Sequence, residues 1–490
     1  MTIYRCDVCN VFAYDPERGD PPTRIRPGTL PADFPDDWAC PVCASDHTHL
    51  RPVQSPAVIR DADSCPTCGA PLPGNPAKAG VLSGYLSPWE RPFDTLEGSM
   101  ADIHTMAVTG KSIIEPMRTK KPVISWDDIL IKGAQIAVVP LNKETFVNTR
   151  TVIGPKARHP MVIETPVFVT HMSFGALSKE VKIAIAQGTA AVQTAMGSGE
   201  GGIVPEVRQQ AFRYILEYVP NRYSITEENL KSADAVEIKI GQSAEPGMGA
   251  RLPAEKVTAE IAKIRGYPQG SDIISPAAYD DIRNKDELKK KVRWLREMSG
   301  GRPIGVKIAA GDIEADLAAV VYAEPDFITI DGRPGATGAA LKFIKDSTSI
   351  PTIFALYRAR KFLDRNNCRD ISLVITGGLR VSSDFAKALC LGADAIAIGT
   401  AALMACACQQ YRICNTGHCP VGVTTQLPGL RERLTPELSA KRLEQFLKLS
   451  TEELRDFARL TGNRDVHALS IRNICTTNSE ISDHTGIPHV

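Results

Sequence analysis

Three cysteines in the run Cys408-Gln-Gln-Tyr-Arg-Ile-Cys414-Asn-Thr-Gly-His-Cys419-Pro-Val-Gly share one short segment rich in turn residues, where their thiolates can converge on an iron–sulfur cluster. Cys6-Asp-Val-Cys9 and Cys40-Pro-Val-Cys43 form a second set, two knuckles whose spacing encloses one tetrahedral metal. Tyr4, Tyr14, Phe34 and Trp38 give that segment an aromatic core which so short a stretch could not otherwise build. A sulfur-only ligand set accepts iron or zinc. Cys65-Pro-Thr-Cys68 is an isolated knuckle in a Pro- and Gly-rich stretch and receives no role.

Such centres need elements to position them, and 490 residues suffice for one barrel-sized domain plus smaller ones. A net charge of +1 gives no electrostatic argument for nucleic acid or an anionic membrane. Thirteen cysteines grouped as knuckles, behind no signal-like leader, fit a reducing cytoplasm better than a disulfide framework. The apolar stretch Ala388 to Cys408 contains Asp394, Gly392 and Gly399, and reads as helix end, buried strand and helix rather than a membrane span.

From about Val123, short β-branched runs alternate with helical patterns, which predicts parallel βα units. Strands are expected at Pro166–His171, Ala191–Ala195, Ala235–Ile240, Pro303–Ile308, Phe327–Ile330, Leu373–Thr376 and Ala395–Ile398, with helices at Pro436–Leu449 and Thr451–Leu460 covering the outside. Chemistry in such a barrel sits after the strands. Met172-Ser173-Phe174-Gly175 follows the first, where a glycine lets backbone approach a flat ring and Ser173 offers a hydroxyl. By composition alone Ser198-Gly199-Glu200-Gly201-Gly202 is a flexible turn with a solvated carboxylate. Lys307 ends a buried strand, so its ammonium must face an acceptor or a developing anion. Asp331-Gly332-Arg333-Pro334-Gly335-Ala336-Thr337-Gly338, Gly377-Gly378 and Gly399-Thr400 follow successive strands, and glycine loops in that order offer backbone N–H groups to the phosphate of FMN. Glu237 and Lys239 alternate on one strand face and can point into the mouth or pair at the surface.

Residues 1–53 resemble rubredoxin, which implies a one-electron Fe(Cys)4 centre, with zinc the alternative; Asn10 and Ala44 stand where that family usually has glycine. Residues 120–435 resemble the flavin domain of glutamate synthase, followed by a helical extension over 436–490 and preceded by a linker over 54–119. The fold implied is α/β, an FMN-binding (β/α)8 TIM barrel with a small rubredoxin-like metal domain. The resemblance makes Cys408, Cys414 and Cys419 ligands of a 3Fe-4S rather than a 4Fe-4S cluster within 406–421, and Glu200 the carboxylate that contacts 2-oxoglutarate. Lys307 would sit at the ring, with Met172, Ser173, Gly175, Ser198, Asp331, Gly335, Gly338, Gly377, Gly378, Gly399 and Thr400 also holding FMN; Lys239, Gln242, Glu245 and Arg265 would hold substrate. One departure matters: where the family has Gln-Gly-Ala-Lys-Pro-Gly, this chain reads Gln242-Ser243-Ala244-Glu245-Pro246-Gly247.

The implied activity is reductive amination of 2-oxoglutarate or a related 2-oxo acid, with electrons from a protein donor through the N-terminal metal and the cluster. Nitrogen would come from ammonia or a separate glutaminase subunit, because no N-terminal cysteine nucleophile and no large C-terminal β domain are expected here. An imine reductase or N-substituted amino-acid synthase is the second enzyme reading, and a nonenzymatic electron-transfer adaptor the third. A homo-oligomer is left open.

Overall fold

The computed structural model describes residues 2–9, 12–54, 91 and 94–490, so Asn10 and the Cys65–Cys68 knuckle lie outside the described residues. In the N-terminal module, β1 (Thr2–Cys6) pairs antiparallel with both β2 (Ala13–Tyr14) and β3 (Leu50–Gln54). Three strands this short bury little alone, and the aromatic side chains complete the core. Phe34 meets Tyr14 edge-on at 4.8 Å between ring centres and Trp38 at 5.0 Å. Ala44 adopts φ 59°, the left-handed conformation that normally favours glycine.

Eight parallel strands close a barrel in a second compact unit, Glu115–Ala340 with Ile344–Val490. They are β4 (Val167–Val169), β5 (Ala195–Gly197), β6 (Arg213–Tyr218), β7 (Ala235–Lys239), β8 (Ile304–Ala309), β9 (Phe327–Asp331), β10 (Ser372–Thr376) and β11 (Ala395–Ile398), each paired with its sequence neighbours and β11 with β4. Two expectations need correction. The second strand begins at Ala195 rather than Ala191, because residues 191–193 form a turn after the helix Lys179–Ala190. β6 was not anticipated: Arg-Tyr-Ile-Leu-Glu-Tyr has polar ends and a central aliphatic pair too short to signal a strand on its own.

One face of each strand fills the barrel. Phe168, Ile215, Ala235, Phe327, Val374, Ala395 and Ala397 form a single apolar cluster with Ile153, Met161 and Ile163, which come from the antiparallel pair Thr151–Ile153 and Met161–Ile163. The barrel is therefore a packed core at the strand starts, and polar chemistry is confined to the strand ends. Outside, one continuous helix, Pro436–Leu460, replaces the two expected segments. It packs closely on Lys179–Ala190 at Gly188, where a Cβ would lie 3.0 Å from both Ala440 O and Leu443 Cβ. Downstream of it, Ile474–Thr476 pairs antiparallel with Ile129–Ile131, which ties the C-terminal segment into the barrel unit. Among the described residues no helix is long and apolar enough to cross a membrane; Ala388–Cys408 instead spans a helix end, β11 and the helix Thr400–Cys406.

Candidate active site and metal centres

The Sγ atoms of Cys6, Cys9, Cys40 and Cys43 all lie within 4.8 Å of one another, the geometry of a ligand cage for one ion. The Phe12 N–H points at Cys9 Sγ at 3.4 Å, and Ser45 Oγ lies 3.1 Å from Cys43 Sγ. Hydrogen bonds of this kind stabilise thiolates around a metal.

Cys408, Cys414 and Cys419 follow the helix Thr400–Cys406 on an irregular segment in which Gln410, Arg412 and Gly417 take positive φ. Burial pushes the Cys414 thiol up to about 11, with Cys408 and Cys419 adding to the effect. Cys406 is different: burial pushes it up to about 12, and the charge it senses is Arg442. Gly338 brings the loop after β9 against this segment, since a Cβ there would stand 3.0 Å from Cys414 Cβ.

At the barrel mouth, Lys239 and Lys307 are register partners on β7 and β8 and therefore project from the same face. Lys239 Nζ donates to Glu200 Oε2 at 2.7 Å, and Lys307 Nζ lies 3.5 Å from Asp331 Oδ2. Glu200 is thus not a solvated turn residue. Burial would raise its carboxyl, but Lys239, Ser275 and Arg265 together hold it below the ordinary glutamate value. Burial likewise opposes the Lys239 ammonium, and Glu200, Glu217 and Glu245 outweigh it and raise its pKa.

Below this pair lies a charged layer in which sequence reading singled out Glu237 but not Glu217 or His171. Glu217 and Glu237 are register partners on β6 and β7, and with His171 they place ligand atoms within 4.8 Å of one another. His171 Nδ1 accepts the Gly199 N–H at 3.2 Å, so its proton sits on Nε2, 3.1 Å from Glu237 Oε2. Thr329 donates its hydroxyl to the other Glu237 oxygen. Glu237 stays below its ordinary pKa despite burial because His171, Lys307 and Thr329 favour its charge.

Several expected ligand contacts are spent inside the protein. Ser198 accepts the Glu217 N–H at 2.9 Å and donates to Gly199 O at 3.1 Å. Arg265 is buried, donates to Phe174 O at 2.6 Å and lies 5.4 Å from the Tyr223 ring centre. Gly175, at φ 107°, gives the Arg265 guanidinium room, with a Cβ there only 3.2 Å from its Nη2. Lys182, on the helix after β4, is fully enclosed and donates at 2.7 Å to both Met172 O and Ser198 O. Gln426 clamps Gly175 O and Leu177 O from the opposite side. Lys182 and Gln426 were missed because no local pattern marks a helix lysine or a lone glutamine as the partner of carbonyls on other segments.

The glycine loops fit FMN. Gly377 and Gly378 take φ 107° and 95°, and a Cβ on either would strike Gly332 O or Pro334, so the turn offers bare peptide. Gly399 caps the helix beginning at Thr400, whose first N–H groups have no intrahelical partner. Arg380 adds a signal missed in the sequence: it has no carboxylate ion pair among the described residues, and burial with Arg118 nearby pushes it down to about 10. Arg380 lines a hollow with Ala401, Met404 and Arg442, where an anionic group would satisfy that charge.

A closed parallel barrel with ionised pairs and glycine loops at its strand ends, carried with a four-cysteine metal module, defines a TIM-barrel enzyme with a rubredoxin domain. The chain belongs to the glutamate synthase family: the model for the conserved region in glutamate synthase matches residues 125–464, and the rubredoxin model matches residues 3–49. It is an oxidoreductase of the glutamate synthase type. The archaeal glutamate synthase (NADPH) of Methanocaldococcus jannaschii is 35% identical over 401 residues, covering 75% of this chain and 78% of that protein. A glutamate synthase large subunit-like protein of Rhizobium meliloti is 34% identical, covering 82% and 97%. Among solved structures, mandelate oxidase overlays with a TM-score of 0.45 at 14% identity, over 72% of this chain and 87% of that one.

Proposed function

We propose that this protein reductively aminates a 2-oxo acid at the mouth of an FMN-loaded barrel. The observation that carries the reading is the largely enclosed Glu200–Lys239 pair, with Lys239 beside Lys307 at the ends of adjacent strands. Condensation of the oxo acid with ammonium loses water, and two electrons with two protons complete the amino acid. FMN, when bound, would supply the hydride and accept electrons one at a time. Met172, Ser173 and Gly175 would lie along the ring, Lys307 would favour negative charge on it, and Asp331 and Gly335 would hold the sugar side. Gly377, Gly378, Arg380, Gly399 and Thr400 would hold the phosphate. Glu200, kept ionised, is suited to stabilise a positively charged iminium rather than to donate a proton. Lys239 orients that carboxylate and offers an ammonium to the substrate carboxylate.

Electrons would enter at an iron held by Cys6, Cys9, Cys40 and Cys43 and reach the flavin through a cluster on Cys408, Cys414 and Cys419. The contact of Gly338 with Cys414 supports a short path, because Gly338 belongs to the loop that follows Asp331. The test is a spectrum and a turnover. The purified protein should show flavin, rubredoxin and cluster absorbance, and light-reduced enzyme should convert a 2-oxo acid and ammonium to the amino acid. A colourless protein would end the proposal.

Two variants divide the electron path. Cys414→Ser should abolish the paramagnetic signal of an oxidised three-iron cluster while Cys406→Ser keeps it; the reverse pattern would reassign the ligands. Removal of residues 1–53 should leave FMN bound and light-driven turnover intact but eliminate turnover driven by a protein donor. Equal donor-driven rates in the shortened chain would show that the module carries no current and serves as a structural metal site.

A further inference from the structure

A small cavity of about 110 Å³ opens at the mouth between the segment after β7 and residues 275–282. That is well below the ~300–1,000 Å³ of drug-sized pockets and suits a short organic acid. Its ionisable lining is Glu200, Lys239, Glu245 and Tyr279. Tyr279 is committed, donating to Tyr218 O and Lys239 O. Lys239 is the one cation, and Glu200 already holds it at 2.7 Å. Arg265 does not line the cavity, and its Nη2 donates to Phe174 O. Glu245 is fixed in the wall, with Gln242 Nε2 donating to its Oε2 at 3.1 Å. Two carboxyl groups therefore face one ammonium, and a dicarboxylate would bring two more negative charges to a cavity with no spare cation in its wall.

Resting on the reductive-amination reading, we propose that Glu245 sets the specificity of this cavity and that the acceptor is a 2-oxo acid with no second carboxylate, its far end neutral or cationic. The α-carboxylate would share the Lys239 ammonium with Glu200, and the far end would lie against Gln242 and Glu245. A neutral end meets the Gln242 amide and the apolar Met248 beside it, whereas a cationic end pairs with Glu245. The Gln242 amide holds Glu245 Oε2 in the wall, so a distal carboxylate would have to come up against the Glu245 carboxyl with no cation beside it other than Lys239.

The test compares 2-oxopentanoate with 2-oxoglutarate, which share a five-carbon chain and differ in the second carboxylate, using holoenzyme with light-reduced flavin and ammonium. Expected is a kcat/KM for 2-oxopentanoate roughly tenfold or more above that for 2-oxoglutarate. Glu245→Gln should narrow the ratio, and Glu245→Lys should reverse it. Perturbation of the oxidised flavin spectrum by each acid gives the same ranking as binding, independently of turnover. A preference of the unmodified enzyme for 2-oxoglutarate, or a ratio that stays within about twofold in Glu245→Lys, overturns this inference and leaves reductive amination standing. Failure of both acids, with flavin bound and reducible, overturns the parent reading as well.

Discussion

Glu237→Leu unfolds at clearly lower denaturant than the unmodified protein, with a loss of about 3–5 kcal/mol, the range for removing one partner of a buried charge network. Glu237 is 3% exposed, accepts the Thr329 hydroxyl, lies 3.1 Å from His171 Nε2 and has the Lys307 charge nearby. Removing it leaves the Lys307 ammonium with Asp331 at 3.5 Å as its ion pair and takes the carboxylate away from His171 Nε2. Thr329→Val, which deletes a single hydrogen bond, should cost only about 1–2 kcal/mol. The pH dependence follows from the sign of the shift. Glu237 has a folded pKa below its unfolded one, so its stabilisation is fully present above the ordinary glutamate value of 4.5 and is lost as pH falls through the lower folded value. Urea unfolding of the barrel at neutral and acid pH reads both effects. Equal midpoints for Glu237→Leu and the unmodified protein, within about 1 kcal/mol, would mean that the charged layer contributes nothing to stability.

Glu200→Gln loses about 10²–10³-fold in kcat/KM for the oxo acid and ammonium, with FMN content unchanged. The substitution keeps the shape and an acceptor for Lys239 but removes the negative charge set against a developing iminium. Lys239 and Ser275 hold Glu200 ionised, so the loss should be flat with pH across the neutral range rather than follow a titration. A drop of less than about threefold would place the reacting carbon away from this carboxylate. Lys239→Met provides a contrast, since it leaves the buried Glu200 charge without its closest partner and should raise both the Glu200 pKa and KM.

Local chemistry in the sequence determined much of this protein. Cysteine spacing is a local property, so the four N-terminal ligands and the Cys408–Cys414–Cys419 run were legible before any fold was known, and the four do converge. Glycines after buried strands marked the loops for the same reason: the conformations at Gly377 and Gly378 are ones that other residues avoid. Partnership between distant segments was not legible. Glu200 reads as a solvated turn and becomes the partner of Lys239; β6 carries Glu217 into the barrel from a segment with no strand signal; His171, Lys182, Arg380 and Gln426 acquire roles because the barrel closes around them. Arg265, assigned to substrate by resemblance, is buried with one of its N–H groups on the Phe174 carbonyl, a partner no local signal announces. The physical reason is common to all of them. A buried charge or amide is tolerated where a partner meets it, and which partner meets it depends on strand register and loop packing across tens to hundreds of residues, which only the tertiary structure decides.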